Sequence, residues 1–275
     1  MQIKYFCPRW GSEQIPWNEF LEKVKTAGYD GVEYGIAAEE PQKNLEEVFN
    51  KTAAHGLLLI AQHYDTYTGD FELHKTRFAN WFGKIKAFRP FKVNTQTGKD
   101  YFTLEQNGEI IGIAENFSEA SGIDVVHETH RNKFSFAAHI TKEYLKILPF
   151  LRLTFDVSHW INVSESYLED QEEAVLLAIN RSDHIHTRVG YPEGPQVPDP
   201  RAPEWQDAVN RHIAWWDLIV KKRKIESPDG VLTITPEFGP YPYMVHLPFV
   251  NHPISNQWEI NEHMMELLRK RYAGR

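Results

Sequence analysis

Two textures alternate along this chain: short β-branched or apolar runs, and longer segments in which apolar residues recur at helical spacing. Ile3 to Trp10 reads as a first strand. Pro16 to Ala27 reads as the helix after it, with Phe20, Leu21, Val24 and Ala27 near one face and Gly28 at the stop. Gly31 to Ile36 predicts a second strand, and Leu45 to Ala54 a helix ended by Gly56. Leu57 to His63 is a buried strand with a polar tip, and Asp70 to Phe88 is helical by the spacing of Phe71, Phe78, Trp81, Phe82 and Ile85. Phe91 to Thr97 is a weaker fourth strand, and Thr103-Leu-Glu-Gln106 is a capping box opening a helix that runs to about Ala120.

The fifth strand begins at Asp124-Val125-Val126 and ends in His127-Glu-Thr-His-Arg131, residues that ligate, donate or titrate. A helix over Thr141 to Leu148 stops at Pro149, and Arg152 to Ser158 predicts a sixth strand. Ser166-Tyr-Leu-Glu169 opens a helix reaching Ile179, and Asp183 to Val189 is a seventh strand. Gly190 to Pro200 is too rich in proline for a helix, because proline removes a donor and fixes its backbone angle. Trp205 to Lys222 is a long helix, Val231 to Thr235 an eighth strand, Gly239 to Pro253 a second irregular loop, and Gln257 to Arg271 the last helix.

Eight strand-helix units predict a parallel sheet, and eight strands close a (β/α)8 TIM barrel. The expected α/β architecture is one barrel domain over residues 1–275, with long irregular loops after strands seven and eight. An open doubly wound sheet competes, but it advertises a Gly-rich phosphate turn after strand one, where this chain has Pro8-Arg9-Trp10-Gly11.

Composition narrows the partners. A net charge of -8, with cations scattered along helices, disfavours nucleic acid. Cys7 is the only cysteine, so no disulfide forms within the chain and a cytoplasmic setting is expected. The N-terminus has no signal-peptide core, and no apolar run approaches the roughly 18 residues of a membrane helix. Association into a homo-oligomer stays open.

Active sites of barrels lie where the strands end. The polar tips are Glu33, His63, Thr97, Glu128, His130, Asp156, His159, His186, Arg188 and Glu237. Each alone has a bland reading, as a helix cap, a lysine partner or a surface histidine. Acidic or imidazole tips on each of the last four strands are less easily accidental. Glu128, Asp156, His186 and Glu237 would place three oxygen ligands and one nitrogen around one divalent metal, Mn2+ or Mg2+ by preference, with Zn2+ or Co2+ open. His184 faces inward but deeper, as a core or supporting residue, and His127 lies on the opposite face. Trp10, Tyr64 and Trp160 offer either rim packing or faces for a sugar ring, and the loops after strands seven and eight read as lids.

These residues resemble the xylose isomerase-like superfamily of TIM barrels, the sugar phosphate isomerases and epimerases. The resemblance rests on the Glu of HETHR, the Asp and His of FDVSHW, the second His of HIHTRVG and the Glu of TPEFG, and spans nearly the whole chain. Tagatose epimerase-like members use Glu, Asp, His and Glu in this chain order around one metal, which maps onto Glu128, Asp156, His186 and Glu237. The resemblance implies that Glu128 and Glu237 double as acid and base and that His159 contacts substrate. The insert containing QVPDP departs from the simple epimerases and leaves the substrate open.

The expected chemistry is proton transfer beside the carbonyl of a small carbohydrate, phosphorylated or not, through an enediolate. His63, His130, His159, Arg188, Glu33 and Trp10 are the expected substrate-binding residues. A lyase or dehydratase, a metal-assisted hydrolase on a related polyol, and a non-catalytic carbohydrate-binding barrel are the alternatives.

Overall fold

The computed structural model describes residues 1–273. Eight parallel strands close into a barrel in chain order: β1 (Gln2–Pro8), β2 (Gly31–Gly35), β3 (Leu58–His63), β4 (Lys92–Thr95), β5 (Val125–Glu128), β6 (Leu153–Phe155), β7 (Ser182–His186) and β8 (Val231–Thr235). β1 pairs with both β2 and β8, which is the closure expected from eight strand-helix units.

The outer layer holds α1 (Trp17–Thr26), α2 (Gln42–Ala54), α3 (Phe71–Ile85), α4 (Leu104–Ser121), α5 (Ala138–Ile147), α6 (Ser158–Ser164), α7 (Glu172–Ile179), α8 (Gln206–Glu226) and α9 (Gln257–Tyr272). Thr103 caps α4 in the expected capping box with Gln106, and Gly122 at φ 69° ends the helix in the left-handed conformation.

Around β6 the structure differs from the sequence reading. The strand is only Leu153–Phe155, and α6 starts at Ser158, two residues after Asp156. Ser166 does not open a helix. Glu165 and Leu168 both take positive φ, and buried Leu168 turns the chain inward before α7 begins at Glu172. Burial of one apolar side chain outweighs the local capping signal here. The loop after β8 also contains a short hairpin, β9 (His246–Leu247) against β10 (His252–Pro253).

The apolar core lies mainly between strands and helices, in two clusters. The lumen differs, because a TIM barrel usually fills it with branched apolar residues. Here Lys92 Nζ donates to Asp183 O and Thr233 Oγ1 at the lower level. Above it Glu33, Asn94, Thr154, His184, His186 and Thr235 form one hydrogen-bonded layer. Charges and amides occupy a lumen only when their partners are satisfied, so this layer is a fixed platform beneath the strand ends.

Candidate metal centre

Glu128 ends β5, Asp156 follows β6, His186 ends β7, and Glu237 stands just beyond β8. Parallel strands in one barrel deliver all of these ends to the same mouth. Each of the four residues offers a ligand atom within 4.8 Å of the others, and all are buried. His186 Nδ1 lies 3.0 Å from Glu237 Oε2, 3.8 Å from Glu128 Oε1 and 4.0 Å from Asp156 Oδ2. Ligands about 2.1 Å from a shared cation stand roughly 3 Å apart at right angles and about 4 Å apart across it, so the spacing fits one ion.

Two atoms strengthen that fit. Glu128 Oε1 is buried with no hydrogen-bond partner among the described residues, and His186 Nδ1, although 3.0 Å from Glu237 Oε2, makes no well-aligned hydrogen bond there. Burial of an unpaired polar atom is costly, and a cation between them would satisfy both. Glu33 supplies the orientation. Its carboxylate accepts from His186 Nε2 at 3.1 Å, His184 Nε2 at 3.1 Å, Asn94 Nδ2 at 2.8 Å and Thr235 Oγ1 at 2.5 Å. A carboxylate only accepts, so neutral His186 carries its proton on Nε2 and presents the Nδ1 lone pair to the acidic group.

Two other clusters share these residues. Glu33, His184 and His186 lie close together, but the donors already surrounding Glu33 make it a support for the imidazoles. Glu128, His130 and His159 form the other cluster. Arg188 meets His159 Nε2 at 2.7 Å and Arg131 meets its Nδ1 at 3.0 Å, so both ring nitrogens face guanidinium groups rather than a shared metal position.

The electrostatics follow from burial. Burial, helped by the Glu237 carboxylate, pushes Glu128 up to about 8. Burial also raises Asp156, against the pull of Arg188. For His186 burial acts downward, but the Glu237 and Glu33 carboxylates outweigh it and raise the imidazole well above its usual range. The metal-free centre therefore holds protons that a cation would displace.

The centre opens on a cavity of about 590 Å³. Glu128, Glu237, His130, Arg188 and Trp10 line it, as do Tyr64 and Tyr243. Arg188 reaches the wall with its guanidinium committed to Asp156 at 2.5 Å and stacked 4.8 Å from the Tyr243 ring centroid. Trp10 meets Tyr243 edge to face at 5.2 Å, and a Cβ at Gly239 would sit 2.2 Å from the Trp10 ring. Only glycine at 239 permits that approach.

Three expected contacts lie elsewhere, and Trp160 takes the packing alternative. His63 points away from the lumen, bonded to Thr95 and Thr66 and packed edge-on against Phe78 and Trp81. Strand alternation gives the lumen side to Gln62, and the largely apolar run from Leu57 concealed that phase. Glu33 lies in the platform beneath the centre, not beside a substrate. His159 sits behind His130, ring centroids 3.9 Å apart, and does not line the cavity. Trp160 is buried, donating to Ser135 O at 2.7 Å.

The sequence reading missed Gln62, Gln96 and Lys133. Gln62 Nε2 spans the two glutamates, 3.2 Å from Glu237 Oε1 and 3.5 Å from Glu128 Oε2. Gln96 donates to Glu128 Oε2 at 3.2 Å. The alternation that placed His184 and His186 inward would have found Gln62; no such rule reaches Lys133, which lies in a turn. Among the described residues, none of 190–203 lines the cavity. That segment is a buttress: Gln196 exchanges hydrogen bonds with the Gly239 backbone, and Val197 is buried.

No family model matches the sequence, and no curated protein does. Solved structures do match. A xylose isomerase from Rhodospirillum rubrum, so named putatively, is 13% identical with a TM-score of 0.63, over 99% of each chain. A xylose isomerase domain protein from Planctomyces limnophilus is 14% identical with a TM-score of 0.61, over 100% of this chain and 99% of that one. The probable 3-DHS dehydratase AsbF of Bacillus anthracis, involved in petrobactin synthesis, is 17% identical with a TM-score of 0.59, over 98% of each chain. The chain has the fold of the xylose isomerase-like TIM barrels.

Proposed function

We propose that this chain is a divalent-metal-dependent isomerase or epimerase of a sugar or sugar phosphate, working by proton transfer next to a carbonyl. The observation that carries the reading is the pair of orphaned atoms, Glu128 Oε1 and His186 Nδ1, inside a buried acidic group that opens on the cavity. Glu128, Asp156, His186 and Glu237 would hold the ion. When bound, it supplies positive charge beside a substrate carbonyl, which makes the neighbouring C–H bond more acidic.

The remaining work belongs to side chains. Of Glu128 and Glu237, one takes the proton from carbon and the other returns a proton on the opposite face. Glu128 suits this exchange because burial and Glu237 hold its carboxyl near 8, and an adjacent cation lowers it towards working pH. Gln62, bonded to both carboxylates, fixes their relative position. Trp10 and Tyr64 offer aromatic faces to a sugar ring. The named xylose isomerase-like neighbours support a carbohydrate substrate.

A second reading is dehydration of a hydroxy-carbonyl compound, which begins with the same proton removal. The barrel named as a probable 3-DHS dehydratase favours keeping it in view. Manganese-loaded protein incubated with a ketose panel in deuterium oxide separates the two. The isomerase reading expects deuterium at the carbon beside the carbonyl, with exchange reduced at least about 100-fold in Glu128→Gln and in Glu237→Gln. Formation of an unsaturated product supports dehydration instead. Neither exchange nor water loss with any member of the panel rejects both.

A further inference from the structure

Three arginines stand near the mouth, and each already bonds to a protein acceptor. Arg9 donates through Nη2 to Glu13 O and Ile15 O and lies over the Trp17 and Phe20 rings, with its buried Nη1 unpaired among the described residues. Arg131 donates to the Tyr243 hydroxyl and meets His159. Arg188 is held by Asp156 and Ser158. Lys133 is different. It lines the cavity, its side chain is 1% exposed, and its Nζ has no hydrogen-bond partner among the described residues.

Lys133 has a second cation beside it. Lys133 Nζ lies 5.4 Å from the Tyr67 ring centroid and Lys99 Nζ lies 5.9 Å from it, so both ammonium groups approach one aromatic ring, and Tyr67 and Lys133 line the cavity. Lys99 is 5% exposed, and among the described residues the one hydrogen bond of its ammonium runs 3.4 Å to Asn132 Oδ1, a neutral acceptor. Among the described residues no carboxylate lies within ion-pair distance of either. An unneutralised buried ammonium is costly, and two together more so. Burial and the Lys99 charge bring Lys133 down to about 8, which leaves most of the population charged at neutral pH. Glu128, Asp65 and Asp100 act from a distance to keep Lys133 charged, but none bonds to its ammonium, which stays available to an anion.

Resting on the proposed ketose chemistry, we infer that Lys133, assisted by Lys99, is a subsite for an anionic substituent of the substrate, a carboxylate or a phosphate. The substrate is thus a polyhydroxy carbonyl compound whose reacting end lies at Glu128 and Glu237 and whose charged end lies at Tyr67, Asn132 and Lys133. Lys133 carries three donors and no protein acceptor, so it can meet several oxygens of such a group. The acidic four-residue centre disfavours an anion at its own end of the cavity, which orients the substrate with its charged end towards the lysines.

The test titrates manganese-loaded protein calorimetrically with D-fructose, D-fructose 6-phosphate and D-fructuronate, and repeats this with Lys133→Met and Lys99→Met. At least one anionic ketose should bind about 10-fold or more tightly than D-fructose, and which one does separates phosphate from carboxylate. Lys133→Met should bring that ratio close to one while manganese content is unchanged, and Lys99→Met should lower it partway. Equal affinity for all three ketoses in wild type, or a ratio that survives both substitutions, overturns the subsite. If no ketose binds, the ketose reading fails, and inorganic phosphate then decides the subsite. Metal-free wild type should bind phosphate and Lys133→Met should not; absence of binding to wild type rejects the subsite as well.

Discussion

Glu33 Oε1 and His186 Nε2 lie 3.1 Å apart in the barrel lumen, 153 residues apart in sequence. That contact fixes which imidazole nitrogen faces the acidic centre. Burial acts to raise Glu33, but His186 and His184 outweigh it and hold the carboxyl well below its usual range. Replacing Glu33 with Gln removes the charge and keeps the shape. The expected result is a loss of manganese affinity of about 10- to 100-fold, read by competition with a chelating dye. Unchanged affinity would mean that the imidazole needs no carboxylate to orient it.

Metal affinity should depend on pH in a defined direction. In metal-free protein Glu128 keeps its proton up to about 8, and His186 is raised as well. A bound cation requires both in their deprotonated forms, so protons and metal compete. Apparent affinity should rise with pH between 6 and 8, by about tenfold per unit for each proton displaced. Calorimetry in buffers of different ionisation enthalpy counts the protons released. A flat profile contradicts the assignment.

Metal removal should cost stability, because the ion binds the folded centre and has little affinity for the unfolded chain. At an ion concentration 100 times its dissociation constant the gain is about 2.7 kcal/mol. For a chain of this size that is a rise of roughly 5–10 °C in melting temperature. Differential scanning calorimetry with and without a chelator reads it, and the shift should vanish in His186→Ala. A shift of equal size in that variant would place the ion elsewhere.

His63 should prove structural. It is fully buried, away from the cavity, with both ring nitrogens bonded to threonines. His63→Ala opens a void beside Phe78 and Trp81 and takes the hydrogen-bond partner from the Thr66 hydroxyl, while Thr95 keeps its bond to Thr97. The expected cost is about 2–4 kcal/mol in denaturant unfolding, with manganese affinity unaltered. A weakened metal site in folded His63→Ala protein would contradict its placement.

The polar layer in the lumen ties distant strands together. Asn94 donates to Glu33 at 2.8 Å and its carbonyl accepts from Thr154 at 2.7 Å, so the platform is continuous from β2 to β6. Substitutions in that layer, unlike those at Lys133, report on several partners at once.

The barrel was legible in the chain because its signals are local: β-branched runs, helical spacing, glycine stops and the Thr103–Gln106 box each act over a few residues. The four acidic and imidazole tips were legible for one further reason, since parallel strands closed into a barrel must bring their ends to one mouth. Tertiary structure alone decided the rest. The phase of β3, a run with little alternation, gave the lumen to Gln62 and the outer core to His63. The turn after β5 carried Lys133 back under the cavity wall, and the buried turn at Leu168 overrode a capping signal. These outcomes depend on contacts between residues distant in sequence, whose energies exceed any local preference and leave no periodicity to read.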